Sequence, residues 1–410
     1  MPGNLLNTVE LAQEGTAFDA FGRLRVSRPY PIFSAKLLHD KEPIFFDEVL
    51  AGGATSAHNS GEATVSMGVS SNGEYAIRQT FMRFNYQPGK GHQIFLTGVL
   101  GEPVANTESR IGYFNTSTSA PYTANMDGVY FGQDGTNKYI AISRNGTENK
   151  IIQTNWNGDK LDGTGASGVM VDWDENQIWF LDLEWLGAGI VRFGQVINGV
   201  FIVCHTEDHT NGAAAFTGAY TQSPNHSIRY EVRSTGGTLT MKQGCCSVAS
   251  EGGEDAGGIT RGVGNGITAV TCGTTLEGIL FLRLNSGRPD ISLAVESLSV
   301  LDTANNAGNF RWELVRNPTI AGTALSYSNV SGSAVDYAVG NGDNTISGGD
   351  VLAYGYGIGD VPGVNVSPRL LVHPGIALDG TQDEIALAVQ MFTGTDDFVG
   401  AFNVRELTCG

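Results

Sequence analysis

The 410-residue chain is short of positive charge: 24 lysines and arginines stand against 42 aspartates and glutamates, a formal net charge of −18. That balance has the wrong sign for holding nucleic acid by neutralising phosphates, so nucleic acid is not expected among its partners. Long apolar runs are missing too. No stretch approaches the roughly 18 uncharged apolar residues of a membrane-spanning helix, so membrane insertion is not expected. Met1-Pro2-Gly3-Asn4 lacks the basic start and apolar middle of a secretory signal, and the expectation is a soluble chain made in the cytoplasm. Cysteine is scarce, and five is an odd number for a closed set of disulfides. Cys245 and Cys246 are neighbours that cannot readily pair with one another. Cys204, Cys245, Cys246, Cys272 and Cys409 are therefore expected to be reduced and mostly buried. Also lacking are a Gly-x-Ser-x-Gly elbow, a Walker sequence and a nucleotide fingerprint, since Gly262-x-Gly264-x-Gly266 and Gly355-x-Gly357-x-Gly359 have the wrong spacing. No cofactor is expected.

Glycine, by contrast, is plentiful at 56 residues, and hydrophobic residues make up 41%. This composition suits many short strands joined by tight turns. The densest apolar and aromatic run is 177–205. Along 177–186, Trp179, Leu181, Leu183 and Trp185 fall on one side of a strand, and Ile178, Phe180, Asp182 and Glu184 on the other. Gly187-Ala188-Gly189 breaks it, a second strand covers 190–197, and Asn198-Gly199 is a hairpin turn into a third at 200–205. Two large aromatics on one face are buried only if a second sheet packs over them, so the minimum architecture is a β-sandwich.

The length suits two domains. Residues 1–35 read as an extended N-terminal arm, because Phe21, Arg23 and Arg25 alternate with Gly22, Leu24 and Val26, and Pro29 and Pro31 forbid a helix. Such a ribbon cannot bury Phe18, Phe21 and Phe33 alone, so it lies against its own domain or against a neighbouring subunit. On the second alternative Phe18, Phe21, Arg23, Arg25, Tyr30 and Phe33 form an assembly interface. Residues 36–250 repeat a strand-and-turn pattern the size of a concanavalin-like or jelly-roll sandwich. The acidic, glycine-rich 251–258 is a linker, and 259–410 reads as a second, smaller β-sandwich. The fold class expected is all-β.

Several consecutive segments, FDAFGRLRVSRPYPIF (18–33), NWNGDKLDGTGASG (155–168), QIWFLDLEWLGAGIVRFGQVING (177–199), SIRYEVRSTGG (227–237) and GCCSVASEGGE (244–254), resemble a family of structural and fibre-like virion proteins of tailed bacteriophages, many of them marine. The second half resembles it mainly around NFRWELVRNPTI (309–320). The resemblance implies a non-enzymatic protein that resides in the virion. Its expected partners are other copies of itself, a trimer among the possible arrangements, and other capsid or tail proteins. It leaves head decoration and tail or head fibre as alternatives, with host-surface glycan binding as the other functional class.

Three constellations have a chemical reading beside a plainer one. Asp182 and Glu184 alternate on a strand and so lie about 7 Å apart, in the range of paired glycosidase carboxylates. The segment resembles the catalytic strand of laminarinase-type β-glucanases, but Phe180 stands where the first carboxylate belongs, so the nucleophile is missing; the plainer role is pairing of Asp182 and Glu184 with Arg192 or another basic group on the adjoining strand. His205-Thr-Glu-Asp-His209 places its Glu where neither zinc motif has it and follows a strand rather than lying on a helix. Asp159, Asp162, Asp172 and Asp174 suit calcium by residue type, yet Asp-Gly turns account for Asp162 without an ion. No metal ligand is assigned. Trp156 and Tyr122 are the candidate glycan contacts, set against a buried or interface role.

Overall fold

The computed structural model describes residues 29–210, 216–252, 258–303, 308–359, 364–366 and 373–407. Among them there is no α-helix, and the chain is all-β. An eight-stranded antiparallel front sheet runs Val200–Asp208, Ile190–Ile197, Gln177–Leu183, His92–Val99, Leu239–Ser250, Thr64–Val69, Thr55–Asn59, with Tyr30–Ala35 also paired to Leu239–Ser250. A seven-stranded back sheet runs Thr147–Ile152, Lys138–Arg144, Asp127–Gln133, Thr107–Asn115, Ile228–Ser234, Tyr75–Thr80, Phe46–Ala51. The second half repeats the plan on a smaller scale. Its five-stranded sheet runs Ile259–Gly264, Asp396–Leu407, Ser292–Asp302, Val364–Val366, with Val270–Cys272 also on Asp396–Leu407. Its six-stranded sheet runs Ser328–Asn329, Val335–Val339, Glu277–Leu284, Glu384–Met391, Asn309–Arg316, Asp350–Ile358. Among the described residues no strand of the first half pairs with one of the second, so the chain forms two β-sandwiches.

The three consecutive strands pair as their pattern predicts, with Asn198 at φ 52° and Gly199 at φ 78° closing the tight turn between Ile197 and Val200. Their core face packs between the sheets: the Trp179 ring lies 4.9 Å from Phe131 of the back sheet and 4.9 Å from Trp173. Leu181, Leu183, Val191 and Phe193 join Ile111, Val129, Ile140 and Tyr230 around it.

Glycines inside strands have a specific use. Opposite Gly112 stands Tyr130, opposite Gly132 Tyr139, opposite Gly194 Phe180, opposite Gly355 Trp312 and opposite Gly357 Phe310. In the last four pairs the ring lies across the strand where a side chain would stand, and at Gly112 the Tyr130 Cβ does; a Cβ on Gly132 would fall 2.5 Å from Tyr139 Cζ, and one on Gly355 would fall 2.7 Å from Trp312 Cζ2. Aromatic area is thus gained at the cost of the glycines' strand propensity.

The alternation predicts one buried face per strand, but the back sheet is buried on both. Ile228, Tyr230 and Val232 enter the core between the sheets, while Arg229 and Glu231 on the opposite face are equally shielded. Glu231 is bonded by Arg110 Nη1 (2.5 Å), Arg229 Nη2 (2.5 Å) and Arg233 Nη2 (3.3 Å). Arg229 Nη2 and Arg233 Nη2 also donate to the Tyr122 carbonyl, Arg233 Nη1 to that of Pro121, and Arg229 Nη1 to the Thr116 hydroxyl. Residues 116–125 are thereby drawn across the outer face. Burial opposes the charge on Glu231, yet the guanidiniums of Arg229, Arg233 and Arg110 together hold its carboxyl far below the usual carboxylate range.

The two sandwiches meet through side chains that cap backbone groups of the other half. Arg83 Nη1 donates to Pro289 O (2.6 Å), Ser292 Oγ to Arg83 O (2.5 Å) and Asn225 Nδ2 to Asp290 O (2.8 Å). Leu378 N–H donates to Asp47 Oδ2 (2.7 Å), and Ile376 N–H to Phe81 O (3.3 Å). Arg316 is the pivot. Its Nη1 donates to Ile44 O (2.9 Å), its Nη2 pairs with Asp383 (2.8 Å), and its guanidinium lies 4.8 Å over the Phe81 ring.

Asp383→Ala leaves the Arg316 guanidinium buried without its carboxylate and is expected to cost about 3–5 kcal/mol, read by urea denaturation. Glu231 gives a pH prediction. Its folded-state pKa is depressed, so its contribution is complete above the unfolded value of 4.5 and is lost as pH falls from there towards the folded value. Glu231→Gln is expected to remove that part of the acid slope and to lower neutral-pH stability by about 3 kcal/mol, measured as denaturation midpoints against pH.

Candidate functional site

The site with the most chemistry-bearing residues is the outer face of the front sheet along Gln177–Leu183. Antiparallel register sets Asp182 opposite Arg192, and their side chains pair at 3.3 Å (Arg192 Nη1 to Asp182 Oδ2), both largely buried. Phe180, in the position a first carboxylate would need, packs edge-on against Phe201 at 5.4 Å, and Phe95 meets Phe201 at 6.0 Å. Asp182 thus has a guanidinium partner and Phe180 an aromatic one, in the plainer arrangement of the two the sequence allows. Glu184 is buried as well, one strand-step further on.

Beside this face lies a cleft of about 840 Å³ lined by Asn157, Asp159, Ser167, Arg192, Phe201 and Thr206. Its outer wall, residues 155–168, is a loop held by its own side chains. Asp159 accepts the N–H groups of Leu161 (2.9 Å) and Ser167 (2.6 Å). Burial works against its charge, but those two N–H groups keep its carboxyl below the usual range. Asp162 accepts from the N–H (2.9 Å) and hydroxyl (2.5 Å) of Thr164. Asn157 treats the edge strand as a neighbouring strand would: Nδ2 donates to Thr206 O (2.7 Å) while Oδ1 accepts the Thr206 N–H (2.9 Å). The Asn157 N–H donates to His205 Nδ1 (3.1 Å), which leaves Nε2 to donate to Glu207 Oε2 (3.0 Å). The loop therefore shields the exposed edge of Val200–Asp208.

The other metal-like groups are separated in the same way. His209 donates through Nδ1–H to Gly189 O (2.9 Å) and stacks on Tyr220 at 4.2 Å, away from the His205–Glu207 pair. Asp172 accepts the Asp174 N–H (2.8 Å), and Asp174 accepts the Glu102 N–H (2.9 Å). Among the described residues no group of three His, Cys, Asp or Glu side chains is placed to hold a metal ion.

The candidate glycan contacts need correction. Trp156 is 3% exposed, with its indole N–H donated to Ile151 O (3.1 Å), and Tyr122 is 7% exposed against Ile77 and Leu378. Each sits beside turn residues that suggest a surface position, but each ring is drawn inward, and neither presents a face to a sugar. Of the proposed assembly residues, Phe18, Phe21, Arg23 and Arg25 lie outside the described residues, as does Cys409. Phe33 packs in the chain's own core against Phe84 (5.0 Å), Phe45 (5.6 Å) and Phe46 (6.3 Å), on a strand paired to Leu239–Ser250, so it has no face left for a second subunit. Tyr30, at the start of that strand, is exposed. Cys204, Cys246 and Cys272 are free and buried, and Cys245 is free and exposed.

Sequence reasoning passed over an exposed aromatic row on Asp350–Ile358, where Tyr354 and Tyr356 point outward next to Phe392. The Tyr-Gly-Tyr-Gly alternation was a sufficient signal for a strand, but its place at a sheet edge appears only in the strand order.

No protein-family model matches the chain, and no curated protein matches it. Solved structures similar to it include a glycoside hydrolase family protein from Mycobacterium thermorestibile, with TM-score 0.37 and 10% identity over 53% of this chain and 99% of that one. A β-glucanase of Bacillus licheniformis has TM-score 0.34 and 10% identity over 53% and 96%. A legume lectin-like domain from Entamoeba histolytica has TM-score 0.31 and 10% identity over 53% and 96%.

Proposed function

We propose that the chain is a non-enzymatic structural protein of a tailed-phage virion, a surface component of head or fibre present in several copies. The observation that carries this reading is where the segments resembling that virion family place their polar side chains. In 155–168 Asp159, Asp162 and Asn157 bond the loop's own backbone and the adjoining strand edge. In 227–237 Arg229, Glu231 and Arg233 bond one another and a covering loop. In 177–199 Asp182 pairs with Arg192. Side chains spent on the framework are those of a protein that works through its surfaces. The net charge of −18 supports separation of assembled particles and disfavours sticking to DNA.

A second reading, a glycan-binding host-attachment protein, is favoured by the cleft beside the front sheet, where Phe201 and Ile202 lie next to Arg192 and Asn157. An apolar floor with polar neighbours is the usual make-up of a small-ligand site.

Mass spectrometry of gradient-purified particles is expected to find the chain at a fixed copy number. Abundance in the lysate with none in the particles overturns the virion reading. On a glycan array the first reading predicts silence; saturable binding that Phe201→Ala weakens by about tenfold or more would instead establish the cleft as a sugar site.

A further inference from the structure

We infer that the outer edge of Asp350–Ile358 is a self-association surface, where a second copy of this chain adds the same strand antiparallel across a two-fold axis. The strand is the last of the six-stranded sheet, and among the described residues nothing pairs with its far side. The backbone groups on the far side of this nine-residue strand are a template for another strand, and proteins ordinarily blunt such an edge with lysine, proline, a short strand or a cover. Three of the chain's other edges show these devices. Thr147–Ile152 carries Glu148 and Lys150, Ser328–Asn329 is two residues long, and Val200–Asp208 is covered by Asn157. Asp350–Ile358, DVLAYGYGI, has no lysine and no proline.

Its side chains argue the same way. Gly355 and Gly357 face inward beneath Trp312 and Phe310, which fixes the strand from behind. Tyr354, Tyr356 and Ile358 face outward at 64%, 65% and 54% exposure, joined by Phe392 at 55%. The rings stand edge to face, Tyr354 to Tyr356 at 6.1 Å and 88°, Tyr356 to Phe392 at 6.1 Å and 76°. Mutually perpendicular rings make a ridge rather than the flat aromatic platform on which a sugar stacks, and a ridge interlocks with another like it.

A pair of charges flanks the seam. Arg311 lies opposite Tyr356 and Glu313 opposite Tyr354, and the two charges pair with each other at 3.1 Å. A two-fold axis at Gly355 sets Tyr356 of one copy opposite Tyr354 of the other. One row across the joined sheets then reads Arg311, Tyr356, Tyr354 of the second copy, Glu313 of the second copy, and the symmetric row repeats it in reverse. The contact is isologous and closes on itself, so it yields a dimer and no filament. With about 150–250 Å² per aromatic side chain, the outward residues of two copies supply roughly half of the 1,200 Å² at the low end of stable interfaces, and the paired backbones supply the rest.

The inference concerns the isolated chain and does not depend on its residence in a particle. Sedimentation velocity across a concentration series is expected to show a monomer–dimer equilibrium. Tyr354→Lys/Tyr356→Lys, with an unchanged melting temperature, is expected to weaken it by about 100-fold or more. Amide hydrogen exchange of residues 350–358 in the unaltered chain is expected to slow as concentration rises, a readout that does not rely on the variant folding. A monomer at every concentration, or a dimer that the double-lysine variant leaves intact, overturns the interface. Either result leaves the particle test of the previous subsection to be decided by its own outcome.

Discussion

The burial of Glu231 constrains the first sandwich more than any other single interaction. A carboxylate without access to water is tolerated only when cations and donors surround it, and here Arg110, Arg229 and Arg233 do so. Arg229 and Arg233 in turn require acceptors for further N–H groups and find some of them in the carbonyls of Pro121 and Tyr122. The loop carrying those carbonyls must therefore lie flat on the back sheet, and Tyr122 is buried as a consequence. One shielded charge thus decides that the back sheet has no open face, and the surfaces left for recognition are the front-sheet side and the strand edges.

Much of this was legible in the sequence. The three strands of residues 177–208, the Asn198-Gly199 turn and the partner of Asp182 all follow from local pattern, because each depends on neighbours in sequence or across a single hairpin. Burial of Phe180, Asp182 and the Arg229 face was not legible. Period two separates two faces but does not say that both are covered, and the cover comes from segments distant in sequence. Trp156 and Tyr122 misled for a related reason: glycine, asparagine and proline nearby mark a turn, but whether the ring of a turn residue points in or out is decided by an acceptor such as Ile151 O. The aromatic row at Tyr354 and Tyr356 shows the same limit, since only strand order distinguishes an edge from a centre.

Residue type also overstated the chemistry. Asp159, Asp162, Asp172 and Asp174 have the composition of a calcium site, and His205 through His209 that of a zinc site. In the fold Asp159, Asp162 and Asp172 each close a turn by accepting an N–H two residues on, which is what Asp does most often in glycine-rich loops, and Asp174 accepts the Glu102 N–H. The glycines themselves are explained differently at different places. Gly199 supplies a positive φ, whereas Gly132, Gly194 and Gly355 sit in regular strands because a ring from the next strand occupies the space above them.

The junction between the sandwiches has a mechanical consequence. Arg316, Asp47, Arg83 and Asn225 fasten side chain to backbone at separate points spread over the contact, and none of these bonds involves the connecting segment. A load applied to one half passes to the other through several bonds in parallel, and the peptide link at residues 251–258 is bypassed. Parting the two halves accordingly means breaking those bonds together rather than one after another.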